Sequence, residues 1–141
     1  MSRFARTDER GSIAVEVAVI APALLFLMLL VVFAGKVAEA DGNVERAASD
    51  AARAASLRQD PADATADAQT TAAANLAAAG VPCRTLTTIV DTDDFRPGGI
   101  VTVTVRCEAS MVDVTLLGVP GRLTFTATAV EVVDRFRSGG A

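Results

Sequence analysis

Residues 17–35 read VAVIAPALLFLMLLVVFAG, and Glu16 stands immediately before them. The run holds no charge and no strongly polar side chain. As a helix its 19 residues would extend about 28 Å, roughly the hydrocarbon thickness of a bilayer. These residues set the fold: one membrane-spanning helix, with whatever folds as a domain placed after it. A carboxylate at the threshold of such a helix costs on the order of 2.5–3.5 kcal/mol if drawn to the bilayer centre. Glu16 therefore needs either water or a partner.

Working outward, the leader MSRFARTDERG carries Arg3, Arg6 and Arg10, whereas the far flank KVAEADGNVER is mixed and mildly acidic. That bias predicts a cytoplasmic N-terminus and an exported remainder. The domain layout expected is residues 1–11 as a cytoplasmic basic leader, 12–35 as the transmembrane helix and 36–141 as an extracytoplasmic α+β domain. A cleaved secretory signal is the rival reading. Such a signal has an apolar region of roughly 7–15 residues, and this run is longer, with a helical pattern continuing beyond it.

Composition narrows the function classes. The chain is 51% hydrophobic but 4% aromatic, with no Trp, Tyr or His and a net charge of −4. Without histidine there are no Ser-His or Cys-His pairs and no His metal sites. The acidic balance argues against nucleic-acid binding. Asp91, Asp93 and Asp94 read as a solvated hairpin tip, since a calcium loop requires a longer ordered set of oxygen ligands. No enzyme and no cofactor is expected. Lys36 is the sole lysine among 13 basic residues, a GC-rich bacterial style of composition.

Beyond Gly35, small apolar residues recur at Val37, Ala40, Val44, Ala48, Ala51 and Ala55, one face of an amphipathic helix. One long helix from about Ser12 to Leu57 is predicted, a stalk with an Ala-lined inner face. Asp41-Gly42-Asn43 is its weak point. Asp60 and Pro61 then suit the cap and first turn of a second helix, Ala62 to Ala79. Its face carries Ala64, Ala68, Ala72 and Leu76, and Gly80 and Pro82 end it. A partly disordered Ala/Thr linker is the alternative there.

The pattern then becomes that of strands. CRTLTTIVD (83–91) and GIVTVTVRCE (99–108) alternate in polarity around the polar turn TDDFRPG (92–98), and LTFTATAVEVVD (123–134) supplies a third strand. Residues 109–122 read as a connector at one end of the sheet, and the tail RFRSGGA as frayed. The predicted fold class is α+β: the long N-terminal helix, a second Ala-rich helix and a small antiparallel sheet of about three strands. If the hairpin centres near Phe95, opposed residues sum to 190. Cys83 then faces Cys107, Thr85 faces Val105, Thr87 faces Val103 and Ile89 faces Val101. Two cysteines in an exported domain read as one disulfide; two buried thiols are the alternative.

The string Gly11, SIAV, Glu16 and an apolar helix resembles the processing site of type IV pilin-like proteins. RGSIAVEVAVIAPALLFLMLL, with Pro22 six residues after the acid, looks most like the TadE-like proteins of tight-adherence (Flp) pilus systems. The strong part of the resemblance covers about residues 10–35. It implies cleavage by a prepilin peptidase between Gly11 and Ser12, which makes Glu16 the fifth residue of the mature chain. It implies that Glu16 pairs with the new N-terminal amine of a neighbouring subunit during assembly. Val17 departs from the aromatic residue that often follows the acid. The partners implied are the lipid bilayer, the peptidase, other pilin-like subunits and the pilus assembly machinery. The bland alternative leaves Glu16 in the headgroup layer. Pro22 removes one backbone hydrogen bond and is expected to kink the span. The second functional reading is an unprocessed single-pass anchor presenting a disulfide-stapled adaptor or adhesin domain.

Overall fold

The computed structural model describes residues 8–112 and 120–136, with side chains from residue 15 onward. Five elements follow in order: α1 (Asp8–Ser56), α2 (Pro61–Ala78), β1 (Cys83–Asp91), β2 (Ile100–Ser110) and β3 (Arg122–Val132). The α+β class, with two helices and a three-stranded antiparallel sheet in the order β1-β2-β3, is as the sequence implies. The leader residues 1–7, residues 113–119 of the connector and tail residues 137–141 lie outside the described residues.

The chain divides into two compact units, Met1–Gly35 and Lys36–Ala141. In the first, the apolar side chains of α1 lie bare: Phe26 is 70% exposed and Met28 65%. The most apolar window of this helix has a mean hydropathy of 3.0 and none of it is buried. It has the length and composition of a single membrane span.

The second unit is built from the C-terminal part of α1, α2 and the sheet. On α1 the buried positions are Ala40, Val44, Ala47, Ala48, Ala51, Ala52 and Ala55, joined in one cluster with Ala64, Ala68, Ala72 and Leu76 of α2 and the inner face of the sheet. Alanine brings little transfer energy per residue, but it lets backbones approach closely, and the larger buried side chains include Leu76 of α2 and Val101, Val103, Val105 and Phe125 of the sheet. α1 runs unbroken through Gly42, so the expected weak point does not interrupt it. A mid-helix glycine costs about 1 kcal/mol relative to alanine, and buried Ala40 and Val44 on either side offset that through packing.

The ends of α2 explain its length. Asp60 is extended and its carboxylate accepts from the Ala62 amide at 2.7 Å and the Asp63 amide at 3.4 Å, satisfying donors with no intrahelical partner. At the other end Gly80 adopts φ +69°. Its amide donates to the Ala77 carbonyl and that of Val81 to Leu76, a Schellman closure that glycine permits at no steric cost. Arg58 Nη2 lies 2.7 Å from Asp67 Oδ2. The hydrogen bond to Asp67, then its charge, raises the Arg58 pKa above its ordinary value.

The sheet corrects the expected strand register. β2 alternates regularly, burying Val101, Val103, Val105, Cys107 and Ala109. Opposite it, Leu86 pairs with Cys107, Thr88 with Val105 and Val90 with Val103. The pairs Thr85–Val105, Thr87–Val103 and Ile89–Val101 do not form. Thr85, Thr87 and Ile89 face outward, and Ile89 is 61% exposed. The hairpin centres between Arg96 and Pro97 and not at Phe95, so opposed residues from Thr85 to Asp91 sum to 193. A β-bulge lies at the far end of the strand: Cys83 pairs with Ala109 and Thr85 with Glu108, so Arg84 is an extra residue. In the regular register the next inner position after Val90, Thr88 and Leu86 would be Arg84, opposite Ala109. The bulge gives that place to Cys83 and keeps a guanidinium out of an apolar core, where an unpaired charge is prohibitive.

The third strand is regular, pairing all the way from Ile100↔Val132 to Ser110↔Arg122 without a shift. Its inner face adds Phe125, Ala127 and Ala129 to the core. On the outer face Thr104 and Thr128 hydroxyls meet at 2.9 Å. The β1–β2 tip is held by Gly99, where a Cβ would fall on the Asp94 carbonyl. The Gly98 amide donates to the Val133 carbonyl at 3.0 Å, and the Val133 amide to the Gly99 carbonyl at 2.9 Å. The tip is thereby tied to the strand that follows.

Candidate processing and assembly site

Gly11, Ser12, Glu16 and Pro22 all fall within α1. Ser12 and Glu16 are four residues apart on a helix, hence on one face and separated by about 6 Å along the axis. Glu16 is exposed at the mouth of the apolar segment, flanked by Val15 at 66% and Val17 at 58% exposure. Pro22 is inside α1, and the helix continues through it.

What this arrangement offers is a carboxylate projecting from an otherwise apolar cylinder. In water such a group is unremarkable; beside hydrocarbon its charge is tolerated when paired with a cation. A free amine at residue 12 would be mostly protonated at neutral pH, its ordinary pKa being about 7.7–8.0. It would sit at the helix start, with Glu16 one turn inside. Two helices staggered by about one turn would set the amine of one against the carboxylate of the other.

The cysteines lie in the second unit. Cys83 and Cys107 form a disulfide with Cα atoms 5.3 Å apart. The pairing is as expected but the route differs. Cys83 stands opposite Ala109, two residues along β2 from Cys107, so the bridge runs diagonally and the bulge makes the reach. The residue that sequence reasoning misses is Arg84. Nothing in CRTL marks it as the extra one, although the neighbouring apolar pair Ile89-Val90 leaves the inward face of this strand undecided.

The acidic tip is occupied by local structure. Asp91 accepts from the Asp93 amide at 3.0 Å, and Asp94 accepts from Arg96 Nε at 2.6 Å. Among the described residues no group of three or more potential ligands is placed to hold a metal ion.

Comparison with known proteins supplies one match. Residues 11–53 fit the family model described as TadE-like protein. No curated protein and no solved structure matches the chain. The matched segment opens at Gly11, includes Ser12, Glu16 and Pro22, and ends at Arg53 within α1, before α2 and the sheet. Over residues 11–53, within its first helix, the chain is similar to the TadE-like family.

Proposed function

We propose that this chain is a non-enzymatic, pilin-like component of a tight-adherence pilus or a related assembly system. The observation that carries the reading is the coincidence of three things in one segment. The TadE-like match begins at Gly11, Glu16 lies five residues on, and a bare apolar helix follows. In this reading a prepilin peptidase cuts between Gly11 and Ser12. The Arg3, Arg6 and Arg10 leader remains cytoplasmic, and the disulfide-bonded unit lies outside the membrane, where oxidised cysteines persist. Glu16 pairs with the amine of a neighbouring subunit, and Pro22 sets a bend in the packed helices.

The test is N-terminal sequencing of protein purified from membranes, expected to begin at Ser12. Gly11→Leu should leave a longer chain that still inserts, because the apolar run is intact. Glu16→Ala should permit cleavage and insertion yet impair assembly with other pilin-like subunits. Wild-type protein that begins upstream of Ser12, together with normal pilus function in both variants, refutes the reading. That outcome would favour an unprocessed anchor whose disulfide-stapled unit, most of which lies beyond the matched segment, acts as an adaptor.

A further inference from the structure

At the end of the sheet where β1 begins and β3 begins, a cleft of about 150 Å³ is lined by Arg84, Thr85, Glu108, Ala109 and Arg122. The cleft spans all three strands at this end, since Thr85 pairs with Glu108 and Arg122 with Ser110. Arg84 is there because of the bulge. In a regular strand it would occupy the core-facing position now held by Cys83. Bulges commonly re-aim a side chain at a functional position, and this one turns a guanidinium from the core into a cleft.

Among the described residues, the lining of the cleft carries two guanidiniums and one carboxylate, in a chain of net charge −4. Arg84 and Arg122 flank it from the two outer strands, and Arg106 adjoins from the middle one. Among the described residues Glu108 is the one acid lining it, and Arg106 Nη2 stands 3.9 Å from its Oε1, an ion pair too long for a hydrogen bond. The space is below the roughly 300–1,000 Å³ of pockets that enclose drug-sized ligands. It suits a single small headgroup. Guanidinium forks bind tetrahedral oxyanions through paired hydrogen bonds, and a phosphate has enough oxygens to face Arg84 and Arg122 together.

We propose that this cleft binds a phosphate-type oxyanion, presented either as a glycerophospholipid headgroup or as a free phosphate ester. The assignment stands apart from the pilus reading: it concerns residues outside the matched segment and holds or fails whether or not Gly11 is cleaved.

The test uses the full chain in uncharged maltoside micelles. In one arm glycerol phosphate is titrated; in the other, phosphatidylglycerol is mixed into the micelles. Binding is followed by the backbone amide shifts of Thr85 and Ala109. Saturable shifts are expected. Arg84→Gln and Arg122→Gln should each weaken binding roughly tenfold, as for loss of a charge-assisted hydrogen bond. Glu108→Gln should strengthen it several-fold by removing the competing carboxylate, a gain that misfolding cannot mimic. Arg58→Gln, whose side chain is engaged with Asp67, should bind as wild type. Response to the lipid alone identifies a headgroup site; response to both arms identifies a phosphate site open to soluble esters. No saturable shift in either arm overturns the proposal. So does equal affinity of the wild type and the two arginine variants.

Discussion

Replacing both cysteines with alanine tests how far the second unit depends on its covalent staple. The bridge joins positions separated by 24 residues, which in the chain-entropy account corresponds to about 11–12 cal/mol/K, or about 3.5 kcal/mol at 25 °C. Cys107 is fully buried, so its sulfur also leaves a small void, worth on the order of 1 kcal/mol. A unit of this size has a total stability of roughly 5–15 kcal/mol, so the double variant should keep its fold with a much reduced margin. Its melting midpoint should fall by about 18 °C, at about 4 °C per kcal/mol. The assay is thermal unfolding of the micelle-embedded chain followed by far-ultraviolet circular dichroism, with and without reductant. Reductant should lower the wild-type midpoint by most of the same interval and leave the double variant unmoved. A loss under about 1 kcal/mol would refute the argument. A double variant still sensitive to reductant would refute it too.

Four further substitutions test the packing and the α2 cap. Val90→Asp should cost about 2–4 kcal/mol by setting a charge against the inner cluster, while Ile89→Asp on the outward face should cost under about 1 kcal/mol. Urea unfolding of the pair decides the register, and the reverse order would restore the pairing centred on Phe95. Leu76→Ala should cost about 2–5 kcal/mol, since the neighbouring alanines Ala64, Ala68 and Ala72 are too small to refill the space; urea midpoints measure it. Asp60→Ala should remove about 1 kcal/mol through loss of the α2 cap, visible as a lowered midpoint with unchanged helical content of α1.

The helices were legible because their signal is a repeated one. Val44, Ala48, Ala51 and Ala55 recur at helical spacing, and the buried stripe follows them. Asp60 and Gly80 are end signals whose chemistry is local, and both act as their residue types imply. The strand β2 was equally plain: I-V-T-V-T-V alternates without ambiguity. β1 was not. In CRTLTTIVD the apolar residues Leu86, Ile89 and Val90 do not share one parity, so alternation alone does not choose the inward face. Cys83 and Leu86 both end inside, three residues apart, and only an extra residue between them reconciles that with a strand. The decision rests on burial against the helices, which is a property of the assembled core. The span and its acid were legible from composition. The cleft was not, because Arg84 reaches it only through the bulge and Arg122 comes from a distant strand.

The bulge has a consequence in the language of insertions and deletions. Removing Arg84 leaves Cys-Thr-Leu-Thr-Thr-Ile-Val, a strand that alternates inward and outward without a fault. Cys83 would remain opposite Ala109, still within reach of Cys107, and Leu86, Thr88 and Val90 would keep their places against the core. A one-residue gap here is therefore silent for the scaffold while it strips a guanidinium from the cleft. Among chains built on this plan, a difference in length of one residue at the start of β1 would mark which of them carry the cleft's first arginine, with the fold itself unchanged.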